Sequence, residues 1–285
     1  GRALYYLLLL CARAAAAAAA GEGELVSMLS HGYDCGPPPL PLNRSVANVL
    51  LVGDSISMGT ASSSSTPRTE AVPLGYGWEV QRFLQEQAVV QHNGGWYAEG
   101  QAANTVKGVA CIKHWLGSEP WDIVHLNFGL HDVDEKEFVE AEQYIQNLDR
   151  IYAAVQEALA PDGQFIWATT SPVPFPSEYK LRNNSAVQRY NAAAARLWAS
   201  KPSGAVAVND LYTLITRRCG SSGALGSYAA CSLQRQWTGK PDEWPKRNTT
   251  GGVHYNARGR EYMAAAVALI IAQHLPASHS AVLTV

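Results

Sequence analysis

Two segments far apart in the chain carry residues that could do chemistry together. Ser55 stands just past the apolar run Val49-Leu50-Leu51-Val52, after Gly53-Asp54, and His254 lies in Gly251-Gly252-Val253-His254-Tyr255-Asn256, ahead of a helical pattern. A serine hydroxyl becomes a nucleophile when an imidazole within hydrogen-bond reach can take its proton. The oxyanion that then forms on a carbonyl carbon needs N–H donors aimed at it. A third segment, Asn127-Phe128-Gly129-Leu130-His131-Asp132, also follows an apolar run and offers such donors. Each piece has a plainer reading. Gly, Asp and Ser all form turns, so Gly53-Asp54-Ser55 could be a turn and nothing more. His254 could bond solvent or backbone, and Asp132 or Asp134 could cap the next helix. The remaining histidines are placed less favourably: His31, His274 and His279 near the termini, His92 and His125 inside strand patterns, His114 in a helical one.

The elements that must position these residues alternate in type. Val46–Asp54 reads as a buried strand, Gly77–Gln87 as a helix, Ala88–His92 as a strand, Ala102–Leu116 as a helix and Trp121–Phe128 as a third strand. Glu137–Leu159 carries Ile145, Leu148, Ile151, Val155 and Leu159 on one helical face and should stop at Pro161-Asp162-Gly163. Strand Gln164–Thr170, helix Ala186–Ser200, strand Ala205–Val208 and helix Ala257–His274 complete the series. Such alternation with right-handed crossovers implies an α/β fold, a parallel sheet covered by helices on both faces. Five strands suit the flavodoxin-like order 2-1-3-4-5, which puts Ser55 at the switch point where ligands bind. One domain over residues 46–276 suffices, with a Pro-rich lead-in at 21–45 and a short tail at 277–285. The 219–248 segment reads as a cystine-tied loop near the final helix.

Composition narrows the partners and the compartment. The formal net charge is −2 with no run of Lys or Arg, so nothing in the chain makes an electrostatic footprint for nucleic acid. Residues 1–20 combine an early Arg, an apolar block and a run of small residues, the pattern of a secretory signal peptide. Arg13 interrupts the block; the alternative is an uncleaved anchor that holds the protein at a membrane. Asn43, Asn183 and Asn248 head Asn-x-Ser/Thr triplets, the acceptor pattern for glycosylation. Beyond the signal, four cysteines remain. The short spacing favours Cys219 with Cys231, which leaves Cys35 with Cys111; free buried thiols are the alternative. There is no Cys-x-x-Cys or His-Glu-x-x-His spacing for zinc. Of the 8 Trp and 13 Tyr, most should be core, while Trp96 and Tyr97 are candidates for an exposed sugar-stacking surface.

Together the pieces resemble the SGNH (GDSL-like) hydrolase superfamily. Gly53-Asp54-Ser55 resembles its nucleophile block. Gly129-Leu130-His131-Asp132 is similar to the Gly-Leu-His-Asp variant of the third block, with His131 where the family usually has its oxyanion asparagine. The likeness extends through Trp115-Leu116-Gly117, Trp121-Asp122, Thr169-Thr170-Ser171-Pro172-Val173-Pro174, Tyr190-Asn191 and Asn209-Asp210-Leu211-Tyr212, roughly residues 46–274. The resemblance implies a three-layer α/β/α fold and a serine esterase without metal or organic cofactor. Ser55 would be its nucleophile and His254 its base, and the N–H groups of Ser55 and Gly100 with the His131 side chain would hold the oxyanion. An alignment anchored on Thr105 puts Ala103 in place of Gly100. The chain departs from the last block, usually Asp-x-x-His, by having Gly251 three residues before His254. Asp242, Glu243 or a backbone carbonyl is then left to orient the imidazole. The implied substrate is a carboxylic ester, with acylated polysaccharide or glycan favoured. A non-catalytic domain binding glycan or protein, and an O-acyltransferase, are the rival readings. The Gly-x-Ser-x-Gly elbow of α/β-hydrolases is absent around Ser55.

Overall fold

Strand β1 (Ala47–Val52) is buried along its whole length, as its apolar composition requires of a strand covered on both faces. The computed structural model describes residues 33–59, 74–96, 102–173, 182–219, 232–233 and 253–277. The expectations for the 1–20 segment, Tyr97, Gly100, Cys231, Asp242, Glu243, Asn248 and Gly251 fall outside them. Around β1 the sheet continues with β2 (Ala88–His92) on one side and β3 (Trp121–Leu126), β4 (Leu159–Ala168) and β5 (Val206–Asn209) on the other. All four pairings are parallel and the order is β2-β1-β3-β4-β5, as expected. The chain builds outward from β1 first one way and then the other, so a crevice opens beyond the carboxyl ends of β1 and β3.

Helices cover both faces. α1 (Gly77–Phe83), α5 (Leu211–Cys219) and α6 (Ala257–His274) pack as one layer, and α2 (Thr105–Leu116), α3 (Ala141–Ala158) and α4 (Asn184–Ala199) as the other. In α3 the buried Tyr144, Leu148, Ile151 and Val155 recur at the three- and four-residue spacing that gathers an apolar stripe. α6 has the bounds expected from sequence. α5 is an addition to the expected series; Asp210 Oδ1 caps its start by accepting from Thr213 N–H at 2.9 Å.

Several bounds shift by two to four residues; two differences change the course of the chain, and the first of them shapes the site. The third helix begins at Ala141, not Glu137, because residues 131–140 close a loop on themselves, with Val139 N–H bonded to the Asp132 carbonyl at 3.0 Å. The fourth strand begins at Leu159, directly off α3, and Pro161-Asp162-Gly163 is a bulge within it, not a stop before it. The ladder with β3 shifts register between Trp121–Leu159 and Ile123–Gln164. A bulge is where a strand tolerates a proline without losing a ladder bond.

The Pro-rich lead-in is fastened to the body from residue 33 onward. Cys35 and Cys111 form a disulfide to α2, Trp115 Nε1–H donates to the Cys35 carbonyl at 2.8 Å, and Leu40 exchanges two hydrogen bonds with Gln91. Cys219 is also disulfide-bonded, while Cys231, its expected partner, lies outside the described residues. Among the described residues no helix is long and apolar enough to cross a membrane.

Candidate active site

The turn that follows β1 is built by Asp54. Its Oδ1 accepts from Ile56 N–H at 2.8 Å, and its carbonyl accepts from the N–H groups of Ser57 and Met58, both at 3.1 Å. Short polar residues form such turns because the side chain mimics a backbone acceptor. Gly53 permits the tight exit: a Cβ there would stand 2.4 Å from Ser57 Oγ. Its N–H is held by Asn93 Oδ1 at 2.8 Å, and its carbonyl accepts from Ala102 N–H at 3.0 Å. The chain from Ala102 thus passes beside the turn, which brings the next residue, Ala103, to the same rim. None of these bonds uses the Ser55 hydroxyl.

His254 comes to that hydroxyl from the start of α6. Asn256 caps the helix, its Oδ1 accepting from Gly259 N–H at 3.0 Å, while its own N–H and side-chain amide bond the carbonyls of Leu233 and Ser232. Tyr255 between them is buried, and Arg260 Nη1 donates to its carbonyl. This anchoring fixes the backbone of the loop, and His254 Nε2 lies 2.9 Å from Ser55 Oγ. The two residues are separated by 199 positions in sequence. At that distance a proton can pass from hydroxyl to imidazole.

His131 stands on the same rim, after β3. Its Nε2 lies 3.9 Å from Asp54 Oδ2, and its Nδ1 lies 2.9 Å from Glu137 Oε2. Burial raises the pKa of Asp54 although the His131 charge opposes it. Glu137 belongs to the 131–140 loop, whose backbone is tied to α2 where Asn104 Nδ2–H donates to the Glu137 carbonyl at 2.8 Å. Arg182, ahead of α4, pairs with Asp134 and closes the loop from the other side. Glu137 is missing from the residues that sequence alone assigns to the site because its spacing places it inside a helix; the signal that could have found it is a carboxylate six residues from His131.

Asp132 does serve a helix start, but that of α2, where it adds to the Asn104 cap, and not that of the helix that follows. Its Oδ1 accepts from Thr105 N–H at 2.9 Å and from Thr105 Oγ1–H at 2.5 Å. Asn147 Nδ2–H donates to the same Thr105 hydroxyl and so joins α3 to the cap. Burial pushes the Asp132 carboxyl up to about 6, against the Thr105 bonds that favour its ionised form.

A second serine–histidine pair lies next to the first. Ser57 Oγ is 2.8 Å from His92 Nε2, and both residues are almost fully buried. Burial lowers His92 to about 4, so it is neutral at physiological pH, and the Ser57 hydroxyl also bonds the Asp54 carbonyl at 3.1 Å. This pair is committed to holding the turn. Trp96, expected as an exposed stacking surface, is half-buried and stacked on Trp78 with ring centroids 4.7 Å apart. Asn43 is exposed in a turn, and Asn183 is the N-cap of α4, its side-chain oxygen accepting from Ala186 N–H.

The GDSL-like lipase/acylhydrolase family model matches residues 51–262. No curated protein matches the chain. Among solved structures, the lipase/acylhydrolase from Enterococcus faecalis is 17% identical with a TM-score of 0.56, the match covering 81% of this chain and 98% of that one. A carbohydrate esterase family 3 protein from Talaromyces cellulolyticus is 14% identical with a TM-score of 0.52, covering 80% and 97%. Axe2, an acetylxylan esterase from Geobacillus stearothermophilus, is 15% identical with a TM-score of 0.54, covering 82% and 94%. At these identities the likeness to solved structures establishes the shared fold.

Proposed function

Because the chain belongs to the GDSL-like lipase/acylhydrolase family, we propose that it is a serine esterase cleaving short-chain carboxylic esters, acetyl esters above all. The observation that carries this reading is the 2.9 Å approach of His254 Nε2 to Ser55 Oγ. Ser55 Oγ bonds to the ester carbonyl carbon as its proton passes to His254, and the carbonyl π electrons become the oxyanion. The N–H of Ser55, that of Gly100 or Ala103, and the His131 side chain receive that charge. Collapse of the intermediate breaks the bond to the alcohol, which leaves with the proton held on His254. Water then attacks the acyl-enzyme by the same route, releasing the carboxylic acid and restoring the serine.

The substrate class we favour is acylated carbohydrate, supported by neighbours described as acetylxylan and carbohydrate esterases. A secretory location is supported by the Cys35–Cys111 disulfide and the exposed Asn43 acceptor. Asp242, Glu243 or a backbone carbonyl orients His254. Alanine at position 242 and then at 243 separates these: a loss of kcat in one variant alone names that carboxylate, and full activity in both leaves the carbonyl.

The test of the whole reading is turnover of p-nitrophenyl acetate, release of acetate from acetylated xylan, and covalent labelling by a fluorophosphonate probe mapped to Ser55. Absence of both turnover and labelling in the folded protein would overturn it. Labelling that survives Ser55→Ala would move the nucleophile elsewhere.

A further inference from the structure

His131 is asked to donate at the oxyanion position, yet a neutral imidazole has one ring proton for two nitrogens. Nδ1 lies 2.9 Å from Glu137 Oε2. An ionised carboxylate only accepts, so the single proton of a neutral His131 is held on Nδ1. Nε2 would then present a lone pair, which repels an oxyanion. Nε2 can donate only when the ring is an imidazolium.

We propose that Glu137 is a positioning residue that keeps His131 protonated on both nitrogens, so that the third oxyanion donor is a cationic Nε2–H. The proposal rests on the Ser55–His254 reading above. It makes this chain differ from one with an asparagine at that position, because an amide N–H donates at any pH whereas His131 donates only while charged. A charged donor is also the stronger one.

The groups around His131 agree with this. Asp54 faces it from the β1 turn, and Glu137, Asp132 and Asp134 come from its own loop. Arg182 comes from the approach to α4 and is paired with Asp134. The charge of Lys107 of α2 also bears on Glu137. Burial by itself favours neutral His131, but the Glu137 hydrogen bond and the charges of Asp54 and Glu137 outweigh burial and Arg182. The imidazole is thereby held above its ordinary range. In return, the His131 bond holds Glu137 below the usual range of its carboxyl, against burial. Each partner thus favours the charged form of the other.

The experiment is a titration of the imidazole nitrogens by NMR in the full chain, with the His131 signal assigned by its loss in His131→Asn, alongside the pH profile of p-nitrophenyl acetate hydrolysis. In Glu137→Gln the His131 midpoint should fall by at least about one pH unit, the effect of removing a carboxylate in contact. The alkaline limb of kcat should move with it while KM stays. A midpoint lower by about one pH unit leaves roughly a fivefold smaller kcat at the pH of the wild-type midpoint. Glu137→Asp should recover part of that loss. In His131→Asn the alkaline limb should vanish, because an amide N–H donates at any pH, whereas His131→Ala should lose activity at every pH. An unchanged His131 midpoint in Glu137→Gln would overturn the proposal, as would an alkaline limb that survives His131→Asn. Failure of the esterase reading looks different: no turnover and no probe label in the wild type, whatever His131 does in the titration.

Discussion

Ser55→Ala is a clean substitution, because the bonds that shape its turn run from Ile56, Ser57 and Met58 to Asp54 and leave the Ser55 hydroxyl free for His254. It should lower kcat by roughly 10³-fold or more, the scale seen when a member of a catalytic serine–histidine pair is removed, with melting temperature unchanged. Ser57→Ala should do the reverse. It leaves His92 Nε2 buried without its hydroxyl partner, a loss of about 1–3 kcal/mol. Probe labelling at Ser55 should persist in that variant, as mass spectrometry of the labelled peptide would show. Ser55, His254 and His131 are legible in sequence because each follows an apolar run or precedes a helical one. Glu137 is not, since a carboxylate on a helical pattern reads as solvated surface until the loop that carries it is folded. Gly129 shows the same limit: its φ is +132° and a Cβ would stand 2.2 Å from Thr170 Oγ1, a contact no local pattern announces. Gly129→Ala should cost roughly 2–4 kcal/mol through backbone strain and that clash, measured by chemical denaturation. Pairing it with Thr170→Ala should recover only the part due to the clash.

Between elements, Asp132 decides how the 131–140 loop meets α2. Its carboxyl is held at about 6 in the folded protein against an ordinary 3.8, so the folded state binds the proton more tightly than the unfolded chain does. That contribution to stability is complete below about pH 3.8 and is lost as pH rises through about 6. Asp132→Asn keeps an oxygen acceptor for Thr105 and removes the charge. Its melting temperature relative to wild type should therefore rise between about pH 4 and 6 and hold constant above, a trend thermal melts across that range can check. No such trend would mean that Asp132 ionises in the folded state as easily as in the unfolded one. Sequence periodicity finds the capping carboxylate but assigns it to the next helix. The actual partner, Thr105, lies 27 residues earlier and becomes a neighbour only when the folded sheet brings the start of α2 beside the loop that follows β3. Pro161-Asp162-Gly163 misleads for a related reason, since a breaker signal cannot distinguish a chain stop from a bulge that the partner strand accommodates.

Over the whole molecule, the Cys35–Cys111 bridge closes a separation of 76 residues and pins the lead-in along α2. Loop-closure entropy for that length puts its contribution at about 2–5 kcal/mol. The Cys35→Ser, Cys111→Ser double variant should therefore melt several degrees lower, yet hydrolyse p-nitrophenyl acetate normally below its transition, because Ser55 and His254 are positioned by β1 and α6 and not by the lead-in. A parallel loss of activity at low temperature would show that the bridge also holds the site. What the sequence determined by itself was the class of fold and its strand order, because buried strands and amphipathic helices write their periods into the chain and crossover handedness leaves few ways to arrange them. It also marked the chemical ends of the strands, since turn formers after apolar runs are local signals. Only the tertiary structure decided which distant groups meet: His254 with Ser55, Glu137 with His131, Asp132 with Thr105. Those contacts depend on loop lengths and on the order in which strands are laid beside β1, and no single segment encodes them.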